Sequence, residues 1–153
     1  MQILIPNDQQ SQFGADPITD ILKRYRTVAV VGLSSNPDRA SNHVAKYIRS
    51  AGYRIIPVNP NETEVLREKS YATLEAAASA IAPTKVEIVD VFRRTENIPP
   101  IVDSAIAIGA KVIWMQQGIE HAQAAEKARA AGLVVIMDAC LRVEHTRRRA
   151  TLS

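Results

Sequence analysis

The segment Gly32-Leu33-Ser34-Ser35-Asn36-Pro37-Asp38-Arg39 holds the residue types best suited to chemistry. It follows a valine-rich run and precedes a helical pattern. Backbone N–H groups at a helix start, two hydroxyls and a guanidinium therefore converge there. Such groups attract phosphate oxygens, through the helix dipole and through forked, charge-assisted donors. The loop suits a phosphate ester or a pyrophosphate. Taken alone it is equally readable as a polar turn that caps a helix, because short motifs are weakly specific.

Two nucleotide signatures are missing. Of the dinucleotide pattern GxGxxG only Gly32 is present, and no GxxxxGK[ST] loop occurs. An NAD site also calls for an acid at the end of the second strand, to hold the ribose hydroxyls. That end reads Val58-Asn59-Pro60 and carries no carboxylate.

The remaining reactive residues give less. Cys140 is the single cysteine and cannot form an internal disulfide, which fits a reducing cytoplasm. It reads as a small packing residue, with a reactive thiol as the sharper alternative. His43, His121 and His145 lack metal-ligand spacing to one another or to cysteine. His43 follows the first loop and reads as a surface or capping residue, with phosphate contact as the alternative; His145 reads as tail packing. Asp90 and Asp138 end strands, where loop hydrogen bonding is the simpler role. Arg147, Arg148 and Arg149 read as a solvated tail. Trp114 reads as core, with an indole N–H that needs a partner.

The elements that must position these groups alternate regularly. Strands are predicted at Thr27–Gly32, Arg54–Pro60, Lys85–Val91, Lys111–Met115 and Leu133–Met137. Their runs are apolar on both faces, as in buried parallel strands. Helices are predicted around Leu22 and over Ala40–Ala51, Thr73–Ile81, Ile98–Ile108 and Glu120–Ala131. Pro99 and Pro100 suit a first turn, and Gly52 and Gly132 suit stops. The pattern predicts an α/β, Rossmann-like, doubly wound and mostly parallel five-stranded sheet with helices on both faces. One domain over residues 1–153 is expected, with a core of about 17–146 and loose ends. Ligands in such a fold bind beyond the C-terminal strand ends, so the loops after Val31, Val58, Val91 and Met115 are the candidates.

Composition agrees with a globular chain. Of 153 residues, 46% are hydrophobic and 23% charged, and 19 basic against 16 acidic residues leave a net +3. That excess is too mild for a nucleic-acid footprint, and 5% aromatics offer few stacking platforms. The first ten residues lack a basic stretch followed by an apolar run, so no signal peptide is expected, and no stretch is apolar enough to span a membrane. A cytoplasmic protein is expected.

Three stretches carry a family resemblance: VAVVGLSSNPDRASNHVAKYIRSAGYRIIPVNP, VEIVDVFRRTENIPPIVDSAIAIGAKVIWMQQGI and AGLVVIMDAC followed by EH. They run from about Thr27 to His145. Together they resemble the CoA-binding domain family, small stand-alone proteins similar to the CoA-binding domain of succinyl-CoA synthetase α subunits. The resemblance implies coenzyme A as the ligand, held by its ADP end. It implies a first loop of Gly32, Leu33, Ser34, Ser35, Pro37 and Arg39, with the serines facing the diphosphate and Arg39 a phosphate. Val58, Asn59 and Pro60 would lie beside the adenosine, where a neutral strand end avoids repelling the 3′-phosphate. Val91, Phe92 and Arg93 would form the third loop with Arg94, and Gln116, Gln117 and Gly118 the fourth, near the pantetheine. Gln117, Ala139 and Arg67 depart from the pattern: relatives often have an apolar residue, an arginine and a glycine there. The function expected is non-catalytic binding of CoA or an acyl-CoA, as sensor or carrier. A subunit or remnant of an acyl-CoA ligase is a second reading, and an NAD(P)-binding redox sensor or regulator a third.

Overall fold

A computed structural model describes residues 1–152. The central strands are β2 (Thr27–Val31), β3 (Arg54–Val58), β6 (Ile88–Val91), β7 (Val112–Met115) and β8 (Val134–Met137). Between them run α2 (Ala40–Ser50), α3 (Leu74–Ile81), α4 (Ile98–Ala107) and α5 (Ala122–Ala130), with α1 (Pro17–Arg24) ahead of β2. Every strand of this set is paired in parallel, and all but the exposed Arg54 in these strands is buried.

Alternation of side chains sends the two halves of each strand to opposite faces. Ala29, Val31, Val89, Val91, Ile113 and Met115 pack against α3, α4 and α5. Val28, Val30, Ile88, Val112 and Trp114 pack against α1 and α2. The sheet thus has helices on both faces, as its uninterrupted apolar runs predict.

The strand count is six, not five. Residues Gln2–Leu4 form β1, which pairs antiparallel with β8 from Gln2↔Met137 to Leu4↔Val135. The expectation of a loose start is replaced by this strand and a 3-10 turn over Asn7–Gln12. Three residues carry too little periodicity to be read as a strand; the open edge of β8 makes them one. The order across the sheet is β1-β8-β7-β6-β2-β3.

A short hairpin, β4 (Glu64–Val65) and β5 (Glu68–Lys69), follows β3. Its two central residues, Leu66 and Arg67, have φ of 53° and 64°. Both positive angles match a tight hairpin turn, a conformation that glycine adopts more readily than Arg67. After β8 the chain forms α6 (Leu141–Arg147) and α7 (Arg149–Leu152). Arg148 donates to Asp16 at 2.6 Å and to Glu144 at 3.0 Å, tying α1 to α6. Of the arginine run, Arg148 is thus a clamp; Arg147 pairs with Glu144 and Arg149 lies over the Tyr47 ring, but both stay exposed, as expected of a solvated end. Among the described residues no helix is long and apolar enough to cross a membrane.

Candidate functional site

The chain leaves β2 for β3 on one side, then crosses back to β6 on the other. The loops after β2 and β6 diverge at this switch point and leave a crevice between them. Gly32 and Phe92 stand at its mouth. Gly32 has φ of +88°, and a Cβ there would lie 2.2 Å from the Phe92 carbonyl oxygen. Only glycine permits both the angle and the approach.

Behind Gly32 the loop is held from below. Leu33 is fully buried and anchors it. The Ser34 N–H donates to Ser41 Oγ at 3.0 Å, and the Ser34 carbonyl accepts from Asn42 Nδ2 at 2.9 Å. Two buried polar residues in the first turn of α2 thereby fix the turn. Ser34 Oγ accepts from the Asn36 N–H. The Ser35 N–H donates to Glu62 Oε2 at 2.6 Å, which holds the Glu62 carboxyl below its usual range. Ser35 and Pro37 are exposed, as is Arg39 at the N-cap of α2.

The second loop supports the first. Val58 and Asn59 are buried. Asn59 Nδ2 donates to the Leu33 carbonyl at 3.0 Å, and Asn59 Oδ1 accepts from the Asn61 N–H and, at 3.5 Å, lies near Arg93. The neutral strand end is thus occupied in holding two loops together. Two carboxylates at this edge are engaged too: Glu62 by Ser35, and Glu75 by the Ser104 hydroxyl at 3.1 Å.

Two clefts open at this edge and share Arg93 and Asn97. The larger, about 780 Å³, is lined by Gly32, Ser34, Arg39, Asn59, Phe92, Arg93 and Arg94, together with Ser41, Glu96 and Ile119. The smaller, about 350 Å³, is more apolar and lies between α3 and α4. Val31, Val58, Pro60, Leu74 and Ile101 line it, with Thr73, Glu75 and Ser104 as polar groups. A three-guanidinium cleft beside an apolar slot can take a phosphorylated group joined to a flat ring.

The structure gathers Gly32, Ser34, Arg39, Asn59, Phe92 and Arg93 into the larger cleft, and Val58, Pro60 and Arg93 into the smaller. Leu33 and Val91 are core residues that position the loops. The fourth loop lies apart. Gln116 is buried, and its Nε2 donates to Asp90 Oδ1 at 2.5 Å. Asp90 Oδ2 has no partner among the described residues, and burial pushes the Asp90 carboxyl up to about 7. Gln117 lines a separate cavity with Cys140 and Asp138, and the Gly118 N–H donates to Asp138 Oδ1. From that loop, Ile119 reaches the larger cleft.

The other candidates have local roles. Trp114 is fully buried and donates from Nε1 to the Ala139 carbonyl at 2.9 Å. His121 caps α5 through Nδ1 and the Ala124 N–H, and His43 is exposed. Cys140 is half-buried at the N-cap of α6. Sequence reasoning missed Thr73, Asn97, Ile101 and Ser104, which face the clefts from α3, α4 and their approaches. The prolines opening α4 located that helix start, but not its nearness to β2.

Sheet order and clefts define a Rossmann-like α/β domain with a crevice at its topological switch point. The sequence profile of the family described as "CoA binding domain" matches residues 26–146, and the chain belongs to that family. It is 41% identical over 128 residues to the uncharacterised protein YneT of Bacillus subtilis, covering 84% of this chain and 91% of that one. A hypothetical protein from Pyrococcus horikoshii superposes with a TM-score of 0.80 at 37% identity, over 96% of this chain and 98% of that one. The dinucleotide-forming acetyl-coenzyme A synthetase 1 of Ca. Korarchaeum cryptofilum superposes at 0.63 with 21% identity, over 76% of this chain and 26% of that protein, a likeness of fold.

Proposed function

We propose that this protein binds coenzyme A or an acyl-CoA through its ADP moiety and acts without catalysis, as a sensor or carrier. The observation that carries the reading is the pair of joined clefts at the switch point, one cationic and one apolar, in a chain of the CoA binding domain family. In this reading the adenine enters the slot edged by Val58, Pro60 and Ile101. The diphosphate lies over Gly32 and Ser34, and Arg39, Arg93 and Arg94 supply positive charge. Absence of a side chain at Gly32 lets the ligand approach the backbone. Asn59, neutral and already hydrogen-bonded, adds no negative charge against the 3′-phosphate.

Calorimetry with CoA, dephospho-CoA and NAD tests this. CoA is expected to bind most tightly, dephospho-CoA more weakly and NAD weakest. No heat from CoA at millimolar concentration overturns the reading.

A further inference from the structure

Another cavity, of about 300 Å³, lies at the opposite end of the sheet. Arg26 and Tyr53, which immediately precede β2 and β3, line it together with Tyr47, His145 and Arg149. Strand β2 is five residues long, so the cavity sits roughly 17 Å from the Gly32 loop.

The lining is polarised in one sense. Arg26 lies over the Tyr53 ring at 4.8 Å, and Arg149 over the Tyr47 ring at 5.7 Å. Among the described residues neither guanidinium forms an ion pair with a carboxylate, and none of those lining the cavity is an acid. The nearby Glu87 carboxylate accepts from the backbone N–H of Arg26 and of Thr27 instead. Tyr47 is a saturated bracket: its oxygen lies 2.9 Å from His145 Nδ1, accepts from Arg149 at 2.9 Å and lies 3.1 Å from Thr146 Oγ1. A phenol has one donor and two acceptor positions, so nothing is left over. The bracket fixes the imidazole and one guanidinium beside each other.

His145 is only 6% exposed and packs edge-on against both tyrosines. Its Nε2 makes no hydrogen bond to another described residue, and is not sealed from solvent. Burial, then Arg149 and Arg26, hold its pKa below the usual range. Both arginines thus bring positive charge to bear on the imidazole that lines the cavity.

We propose that this cavity is a second binding site, for a small organic oxyanion whose carboxylate or phosphate meets Arg26, Arg149 and His145 while its apolar part rests on Tyr53, Ala51 and Leu152. Two guanidiniums lining one cavity present forked donors to one oxyanion; both are exposed, so the attraction weakens as salt is added. The proposal is independent of what the switch-point clefts bind.

The test is calorimetry and amide chemical-shift mapping of the full chain with benzoate and phenyl phosphate, inorganic phosphate serving as a control without an apolar part. Saturable binding of either organic probe is expected, tighter than inorganic phosphate, with shifts centred on Arg26, Tyr47, Ser50 and Arg149. Which probe binds better identifies carboxylate or phosphate. Arg26→Gln with Arg149→Gln should weaken it at least about tenfold. The Arg26→Lys, Arg149→Lys pair should retain part of it, and CoA titration should be unchanged in both. Absence of saturation at about 10 mM probe and low salt overturns the proposal. So does displacement of the probe by CoA, or shifts centred on the Gly32 loop.

Discussion

The Phe92 carbonyl oxygen stands 2.2 Å from where a Cβ of residue 32 would lie, so the β2 and β6 loops meet backbone to side-chain-free backbone at Gly32. With φ at +88°, Gly32→Ala faces strain and a clash with backbone that cannot swing aside. The variant should lose about 2 kcal/mol or more in urea unfolding, and its CoA affinity should fall with the loop displaced.

Arg39 and Arg93 line the same cleft, Arg39 exposed and Arg93 beside Asn59. If each contacts a phosphate, Arg39→Ala and Arg93→Ala should each weaken CoA binding by about 1–3 kcal/mol. Added salt should weaken wild-type binding too. Calorimetry across a salt series reads both effects.

Glu62 occupies the Ser35 N–H, a donor at the rim of the first loop. An incoming phosphate competes for that donor and is repelled by the carboxylate. Glu62→Gln should therefore tighten CoA binding, by about two- to fivefold at low salt, with the gain shrinking as salt rises.

Asp90 sets a pH dependence. Its carboxyl is fully buried and stands at about 7, against 3.8 for an ordinary aspartate. The folded state thus holds a proton that the unfolded state releases. The stability this contributes is complete below about pH 4, falls as pH rises toward 7 and is gone above that, a span of roughly 4 kcal/mol. Asp90→Asn keeps an acceptor for Gln116 but places an N–H₂ where Oδ2 stood. It should be no more stable than wild type at pH 5 and more stable at pH 8, as read by urea unfolding at both values.

Arg67 takes φ of 64° in the β4–β5 turn. Arg67→Gly relieves a left-handed angle that costs an L-residue about 1 kcal/mol, offset in part by glycine's greater freedom when unfolded. A rise of a few tenths to about 1 kcal/mol in unfolding free energy is expected, with CoA affinity unchanged.

Much of this protein is determined by local pattern. Runs such as Val28-Ala29-Val30-Val31 and Ile113-Trp114-Met115 must be buried on both faces, which forces a parallel sheet between two helix layers. Gly32, Ser34, Arg39, Asn59 and Arg93 are legible as candidates because they sit where strands of that sheet must end, and the structure gathers them around one cleft. Sequence also gave Trp114 its core place and the need of its N–H for a partner. Four things waited for the tertiary structure. Gln2–Leu4 becomes a strand because β8 leaves an edge open. Arg148 becomes a clamp because α1 brings Asp16 to α6. Gln116 turns inward because Asp90 is buried with a polar atom to satisfy. The apolar slot and the cavity around His145 bring together residues far apart in sequence, Val58 with Ser104 and Tyr47 with His145. Spacing along a chain reports which face of its own element a residue takes. Which other element comes to meet that face is settled by the packing of the whole.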